Sequence, residues 1–322
     1  MQASKGRVSP LSAKDGRPVG QSLSRFMELR GRHVAEIDGV LWYSTEGAFY
    51  MSVPFQLCPE VDPHRMQQFL RAHRATGVRY PSLIEPGRPS GLYVCRTRPY
   101  DLSAVHRKYR TRIRHGLNHY VVRRASVDEL LAQGLQLNLD TMSRQGRFDA
   151  EFGTEEGWRR LVRALGECPA MEAYGAFAGE RLAAYVVACR EDDWFHLIHQ
   201  MSRQDELKDF PNHALTFAVT KMAMDDESIE AACLGLLPLI QREGLHTFKL
   251  RHGYELWPQN SVFHVRSAWE PWLASTATMH AARVLRRLSP ANQRLERVET
   301  VLDGIRLSLD GRTGLEHRRT GQ

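Results

Sequence analysis

The sequence predicts an α/β (α+β) protein built from two mixed-sheet units, on three observations. The stretch 171–265 reads as a three-stranded meander followed by a helix, a strand, a helix and a last strand. The stretch 33–124 reads as three short strands, a helix, two more strands, a basic helix and a final strand. A chain of 322 residues is long enough to give each stretch its own core.

Taken in order, residues 1–24 are rich in Ser, Gly, Lys and Arg with scattered Pro, the composition of a disordered basic tail. They lack the apolar centre of a secretory signal, and Asp15 argues against a mitochondrial leader. The runs 33–37, 40–44 and 48–53 alternate as strands and are cut by Asp38-Gly39 and Glu46-Gly47, which are turn pairs. Asp62 caps a helix over 63–76, with Met66, Phe69 and Leu70 on one face. Strands are expected at 78–84 and 92–96 around a loop at 86–91, then a helix over 102–115 and a strand over 120–124. This first unit spans 25–125 and the second 126–268.

The second unit opens with Ser126 and Glu129, spaced as a capping box, and with a helix carrying Trp158, Leu161, Val162 and Leu165 on one face. Its meander is broken at 178–180 and 191–193. Pro211 starts a helix whose apolar stripe is Leu215, Val219 and Met222. A buried strand over 229–236, a helix over 245–251 and a strand over 261–265 follow. The region 269–322 reads as a helical extension, basic and amphipathic over 281–288, helical again over 292–302, and frayed from Asp310 onward.

The net charge of +7, mostly arginine, suits a phosphate-bearing partner or simply a solvated surface. No nucleic-acid motif accompanies it. Five cysteines with no CxxC pair give no zinc signature and fit a reducing cytoplasm. No apolar run is long enough to span a bilayer.

The pentamer Arg112-Ile113-Arg114-His115-Gly116 echoes Lys249-Leu250-Arg251-His252-Gly253, as two copies of one unit would, the alternative being a chance match in a single mixed domain with an irregular N-terminal extension. The element order, together with Phe248-Lys249 shortly before Gly253-Tyr254, resembles the GNAT superfamily of N-acyltransferases. More narrowly the chain resembles the Fem-type, two-domain branch, whose members move an acyl or aminoacyl group onto an amine. The resemblance covers about residues 30–268 and implies tandem GNAT-like mixed-sheet domains, the second more complete. In ordinary GNAT enzymes a Gly-rich turn before the central helix holds the pyrophosphate of coenzyme A, and a Tyr stands four residues before the final Gly. Here the segment from Gln200 to His213 replaces that turn, and Lys249 replaces the Tyr, a Fem-like feature. The implied donor is acyl-CoA, with aminoacyl-tRNA as the alternative, and the acceptor a small-molecule or peptide amine.

Acyl transfer needs a proton acceptor, charge stabilisation and a site for the activated donor. His196 and His199 alternate on one strand, and His199, beside Gln200 and Met201, is the candidate base, or else a structural histidine. The amides of Asn212, His213 and Ala214 at a helix start are the candidate anion site, or merely begin the helix. Lys249 is the candidate for neutralising a phosphate or oxyanion, or a helix-end charge. Arg107, Arg110 and Arg114 form a basic ridge that would cradle phosphate or lie solvated. In GNAT-like folds the loop between the opening helices overlies the acceptor, which implicates Arg144, Gln145 and Arg147. The competing reading is a silent module that holds a phosphorylated ligand or RNA in a basic groove.

Overall fold

The computed structural model describes residues 20–289 and 292–320, with side chains up to residue 311. In the first unit β1 (Val34–Ile37), β2 (Val40–Ser44) and β3 (Phe49–Val53) form an antiparallel meander. Asp38 and Gly39 both take positive φ, 53° and 75°, as a tight hairpin turn requires. Helix α2 (Pro63–Ala72) starts where Asp62 accepts a bond from the Arg65 amide, and leads to β4 (Gly77–Ser82), parallel to β3. The second unit repeats this order. Strands β7 (Met171–Ala178), β8 (Arg181–Glu191) and β9 (Trp194–Ser202) form a meander, α7 (Pro211–Asp225) crosses over, and β10 (Ala231–Leu236) runs parallel to β9.

The next strand of each unit then leaves it. β5 (Arg88–Cys95) follows β4 in sequence yet pairs with β10, and β11 (Glu255–Val265) follows β10 yet pairs with β4. The two exchanged strands pair with each other at the centre. One sheet of eleven strands results, in the order β1-β2-β3-β4-β11-β5-β10-β9-β8-β7-β6, with β6 (Val121–Arg124) on the far edge. Its backbone ladder is therefore continuous across both units, which ties them together by hydrogen bonds.

Helices cover both faces. α1 (Gln21–Leu29), α4 (Val127–Arg144), the short α5 (Ala150–Gly153) and α6 (Glu155–Glu167) close one core, in which Leu23, Phe26, Leu137, Trp158 and Leu161 meet Val187 and Cys189 of β8. α3 (Arg107–His119) and α7 cover the other, where Tyr109, Ile113 and Leu215 meet Val186 and Ala188. α8 (Glu243–Arg251) precedes β11. α9 (Glu270–Leu273) and α10 (Thr276–Leu288) lead to α11 (Gln293–Thr320), which lays Ile305 on Phe263 and Val265 of β11.

Several boundaries differ from the sequence reading. The tail expected over 1–24 is described only from residue 20, and there Leu23 is fully buried and α1 is capped by the Glu191 carboxylate, which accepts from the Ser22 and Leu23 amides. Residues 1–19 lie outside the described residues. Residues from Arg88 belong to β5 rather than to the loop expected at 86–91, since pairing with β11 extends them. β6 pairs with β7, so the division at 125 cuts the second unit's sheet. The helix expected to fray at Asp310 continues as α11. The pentamers of α3 and α8 are not equivalent either: α3 follows the exchanged strand of its unit, whereas α8 precedes its own, and only Gly253 ends a helix at positive φ.

Candidate functional site

A cavity of about 710 Å³ opens where the two units meet. Tyr43, Met51 and Phe55 wall it from the first unit, Phe152, His199 and Leu236 from the second, and Arg297 and Val301 of α11 from above. Seven cationic side chains line it, Arg30, Arg32, Arg79, Arg147, Arg242, Lys249 and Arg297, against three carboxylates, Glu46, Asp149 and Glu151. The surplus is positive, and part of it is already neutralised. Arg30 makes a two-pronged pair with Glu151 at 2.6 and 2.7 Å, which Arg32 joins at 3.2 Å, and Arg297 pairs with Glu46 at 3.1 Å.

The other four cations hold neutral partners. Arg79 donates to the Ser261 hydroxyl at 2.7 Å, Arg147 to the Gln145 amide oxygen at 2.5 Å, Arg242 to the Gln145 carbonyl at 2.7 Å and Lys249 to the Leu234 carbonyl at 2.6 Å. Among the described residues none of the four is in an ion pair. Burial lowers the Arg79 guanidinium to about 10, opposed by the nearby Tyr43, and also lowers Arg147, against the attraction of Asp149 and helped by Arg242 and Arg297 close by. Charges in that state favour an anion that would bring their missing partner.

Lys249 reaches the cavity from α8. Its ammonium also sits 4.2 Å from the centre of the Tyr93 ring, and the side chain is only 8% exposed. Burial brings its pKa down to about 8, with Cys233 acting weakly against the shift. A cation so placed has few competing water contacts and is strengthened toward any oxyanion in the cavity.

His199 also lines the cavity, but not as the sequence suggested. Strict alternation would put His196 and His199 on opposite faces of the sheet. Instead Val187 pairs with His199 and Ala188 with Leu197, so Ile198 is an extra, bulged residue and both histidines share a face. Burial, reinforced by Arg30, lowers His199 to about 3, far from the near-neutral value expected of it. The imidazole is therefore neutral at physiological pH and a weak base. It packs edge-on against Phe152 with ring centres 4.6 Å apart.

The proposed donor residues are elsewhere. Met201 is buried in the core. Gln200 donates to Asn212 Oδ1 at 3.1 Å, and Asn212 donates to the Ser202 hydroxyl at 2.8 Å, a network that Arg144 completes through Ser202 Oγ at 2.9 Å. The amides of His213 and Ala214 are committed to the Phe210 carbonyl, at 3.0 and 3.2 Å, because Phe210 turns into the left-handed region just before α7. α3 closes over that end as well. A Cβ on Gly116 would lie 2.8 Å from Phe210 O, and Tyr109 packs edge-on against His213 with centres 4.4 Å apart. The start of α7 is thus a packed junction rather than an open anion site.

The ridge on α3 is likewise redirected. Arg110 folds back to donate to the Val105 and Ser103 carbonyls at 2.9 and 3.0 Å. Arg107 and Arg114 are exposed on α3, over the sheet face opposite the cavity. Of the sequence-based candidates, the cavity brings together Lys249, His199, Gln145 and Arg147. Sequence reasoning missed Arg30, Arg32, Arg79, Arg242 and Arg297. Only Arg79, a charge inside a strand-like run, left a visible signal.

No protein-family model and no curated protein matches the chain. Solved structures do. FemX aligns with a TM-score of 0.54 at 11% identity, over 80% of this chain and 96% of its own. The C-terminal domain of a putative lysylphosphatidylglycerol synthetase from Agrobacterium fabrum aligns at 0.52 and 11%, over 82% and 91%. L-PGS from Bacillus licheniformis aligns at 0.50 and 13%, over 91% and 99%. The fold is that of FemX and of these two proteins, as the Fem-type resemblance implied, and at such identity the likeness speaks of fold alone.

Proposed function

We propose that the chain is an acyltransferase that moves an acyl or aminoacyl group from a phosphate-bearing donor onto an amine, with the reacting ends meeting in the cavity between the units. The observation that carries this reading is the set of four cations there, Arg79, Arg147, Arg242 and Lys249, each hydrogen-bonded to a neutral group and none in an ion pair among the described residues. Guanidinium forks match phosphate oxygens in pairs, which makes the arginines the anchoring groups. Lys249 is then the group that stabilises the oxyanion formed when the amine attacks the donor carbonyl. Fold likeness to FemX and to proteins named for lysylphosphatidylglycerol synthesis fits transfer of this class.

The donor remains acyl-CoA or an aminoacyl-tRNA, and either would have to place its phosphates differently from ordinary GNAT enzymes. Burial of the α7 start beneath α3 counts against the usual pyrophosphate position. The low basicity of His199 favours a second reading, a module that binds a phosphorylated ligand without turnover. Incubating the purified chain with labelled acetyl-CoA or charged tRNA and a panel of amines tests both. Labelled product lost in Lys249→Met is the expected result. Tight binding without product in any pairing would favour the silent module.

A further inference from the structure

On the other side of the molecule α3 faces the 3₁₀ turn Leu207–Asp209, which precedes α7. His115 and His119 stand one helical turn apart and both approach Asp209, His115 Nε2 at 2.9 Å from Oδ1 and His119 Nε2 at 4.0 Å from Oδ2. Glu206 completes the group, and ligand atoms of His119, Glu206 and Asp209 all lie within 4.8 Å of one another. We infer that His119, Glu206 and Asp209 form a divalent-metal site that ties α3 to the segment leading into α7, with zinc the ion whose chemistry suits it.

Three features carry the inference. An imidazole beside two carboxylates is a mixed nitrogen and oxygen set, which zinc accepts, whereas calcium and magnesium prefer oxygen alone. At zinc bond lengths, two ligands on a tetrahedron sit roughly 3.3 to 3.5 Å apart, so the 4.0 Å between His119 and Asp209 closes with a small side-chain movement. Both carboxylates are already oriented from behind. The Tyr120 hydroxyl donates to Glu206 Oε2 at 2.8 Å, and His115 holds the other oxygen of Asp209, the kind of outer partner that metal ligands have. Arg181 pairs with the other oxygen of the Glu206 carboxylate, 3.3 Å from Oε1. His119 is about half exposed, its side chain at 47%, so an ion has access from solvent.

Zinc titration of the full chain by calorimetry, with cobalt(II) as a coloured probe, tests the assignment. Expected is one equivalent of zinc bound at micromolar or lower concentration and a tetrahedral cobalt spectrum. His119→Ala and Asp209→Asn should each weaken zinc binding about tenfold or more, since even outer partners of metal ligands carry 10- to 100-fold. Zinc should raise the melting temperature of the native chain and leave that of His119→Ala unmoved. His64→Ala, an exposed histidine on α2, should bind like the native chain. Absence of binding by the native chain overturns the site, as does equal affinity in His119→Ala and Asp209→Asn, which would put the ion on others of the fourteen histidines.

Discussion

Lys249 Nζ donates to the carbonyl oxygen of Leu234 at 2.6 Å, across the short distance between α8 and the end of β10. That carbonyl is available because β10 loses register with β5 between Cys233 and Leu236, where Gly235 takes φ 73°. A regular strand would have spent the same oxygen on its neighbour. The irregular strand end thus fixes the one buried lysine among the described residues at the cavity wall.

Lys249→Met should lower turnover by about 10²-fold or more, the loss typical of one oxyanion contact. Single-turnover rates against the donor that proves active would measure it. Stability should respond to pH in a set direction. The folded pKa of about 8 lies below the ordinary 10.5, so between those values the unfolded chain binds more protons and native stability rises with pH. Below pH 8 the difference between native and Met variant should be flat, and it should move in favour of the native chain from about 8 to 10.5. Denaturant midpoints at a series of pH values would show this, and a pH-independent difference would remove the depressed lysine.

Glu151→Gln should destabilise the chain by about 3–5 kcal/mol, because it leaves the buried Arg30 guanidinium without its charge partner. Burial pushes the Glu151 carboxyl up, but the hydrogen bonds and charge of Arg30 and Arg32 outweigh it and hold the group below its ordinary 4.5. Its contribution is therefore present above that value and is lost as pH falls through the depressed folded value. The native chain should lose this stability as pH falls below about 4.5, and the Gln variant should lack that pH-dependent component. Equal midpoints for the two chains at neutral pH would contradict the pair.

How far the sequence led can be judged from such residues. Meander, helix and parallel strand in each unit follow from alternation, turn pairs and caps, all local, and Asp38-Gly39 or Ser126 with Glu129 are legible for that reason. Lys249 stood out through its place before Gly253-Tyr254. Exchange of β5 and β11 has no local signature, since strand order depends on which edges are free once both units have formed. The bulge at Ile198 reversed the facing of His199 for a similar reason, because one extra residue shifts the alternation without changing the composition. Arg30, Arg79 and Arg297 come from distant segments and converge only through that exchange and the return of α11.

Gly253→Val should destabilise by about 1–3 kcal/mol or more. The glycine has φ 83°, which a β-branched residue takes only under strain, and an added Cβ would sit 2.7 Å from the Ala104 carbonyl oxygen. Tyr100, whose hydroxyl donates to the neighbouring His252 carbonyl at 2.6 Å, leaves the turn little room to move aside. An unchanged denaturant midpoint would show that the turn relaxes into another conformation.

The nature of the donor should appear in the salt dependence of binding, through Arg242 and Arg110. Arg242 is exposed at the cavity and is held by one carbonyl, whereas Arg110 is bound to two carbonyls on the opposite side of the sheet. If the ligand is a tRNA, each phosphate contact releases counterions, and affinity falls steeply between about 50 and 200 mM salt. Arg242→Ala should then flatten the slope by about one, the value of a single phosphate contact, while Arg110→Ala leaves it as it was. A small thioester offers few phosphates, and its affinity should change only weakly with salt while still falling in Arg242→Ala. The cavity of about 710 Å³ suits the smaller ligand, and weak salt dependence is the expected result. A steep tRNA slope that Arg242→Ala flattens, with no thioester binding at low salt, would make the nucleic acid the donor. A slope changed by Arg110→Ala and not by Arg242→Ala would move phosphate recognition out of the cavity altogether.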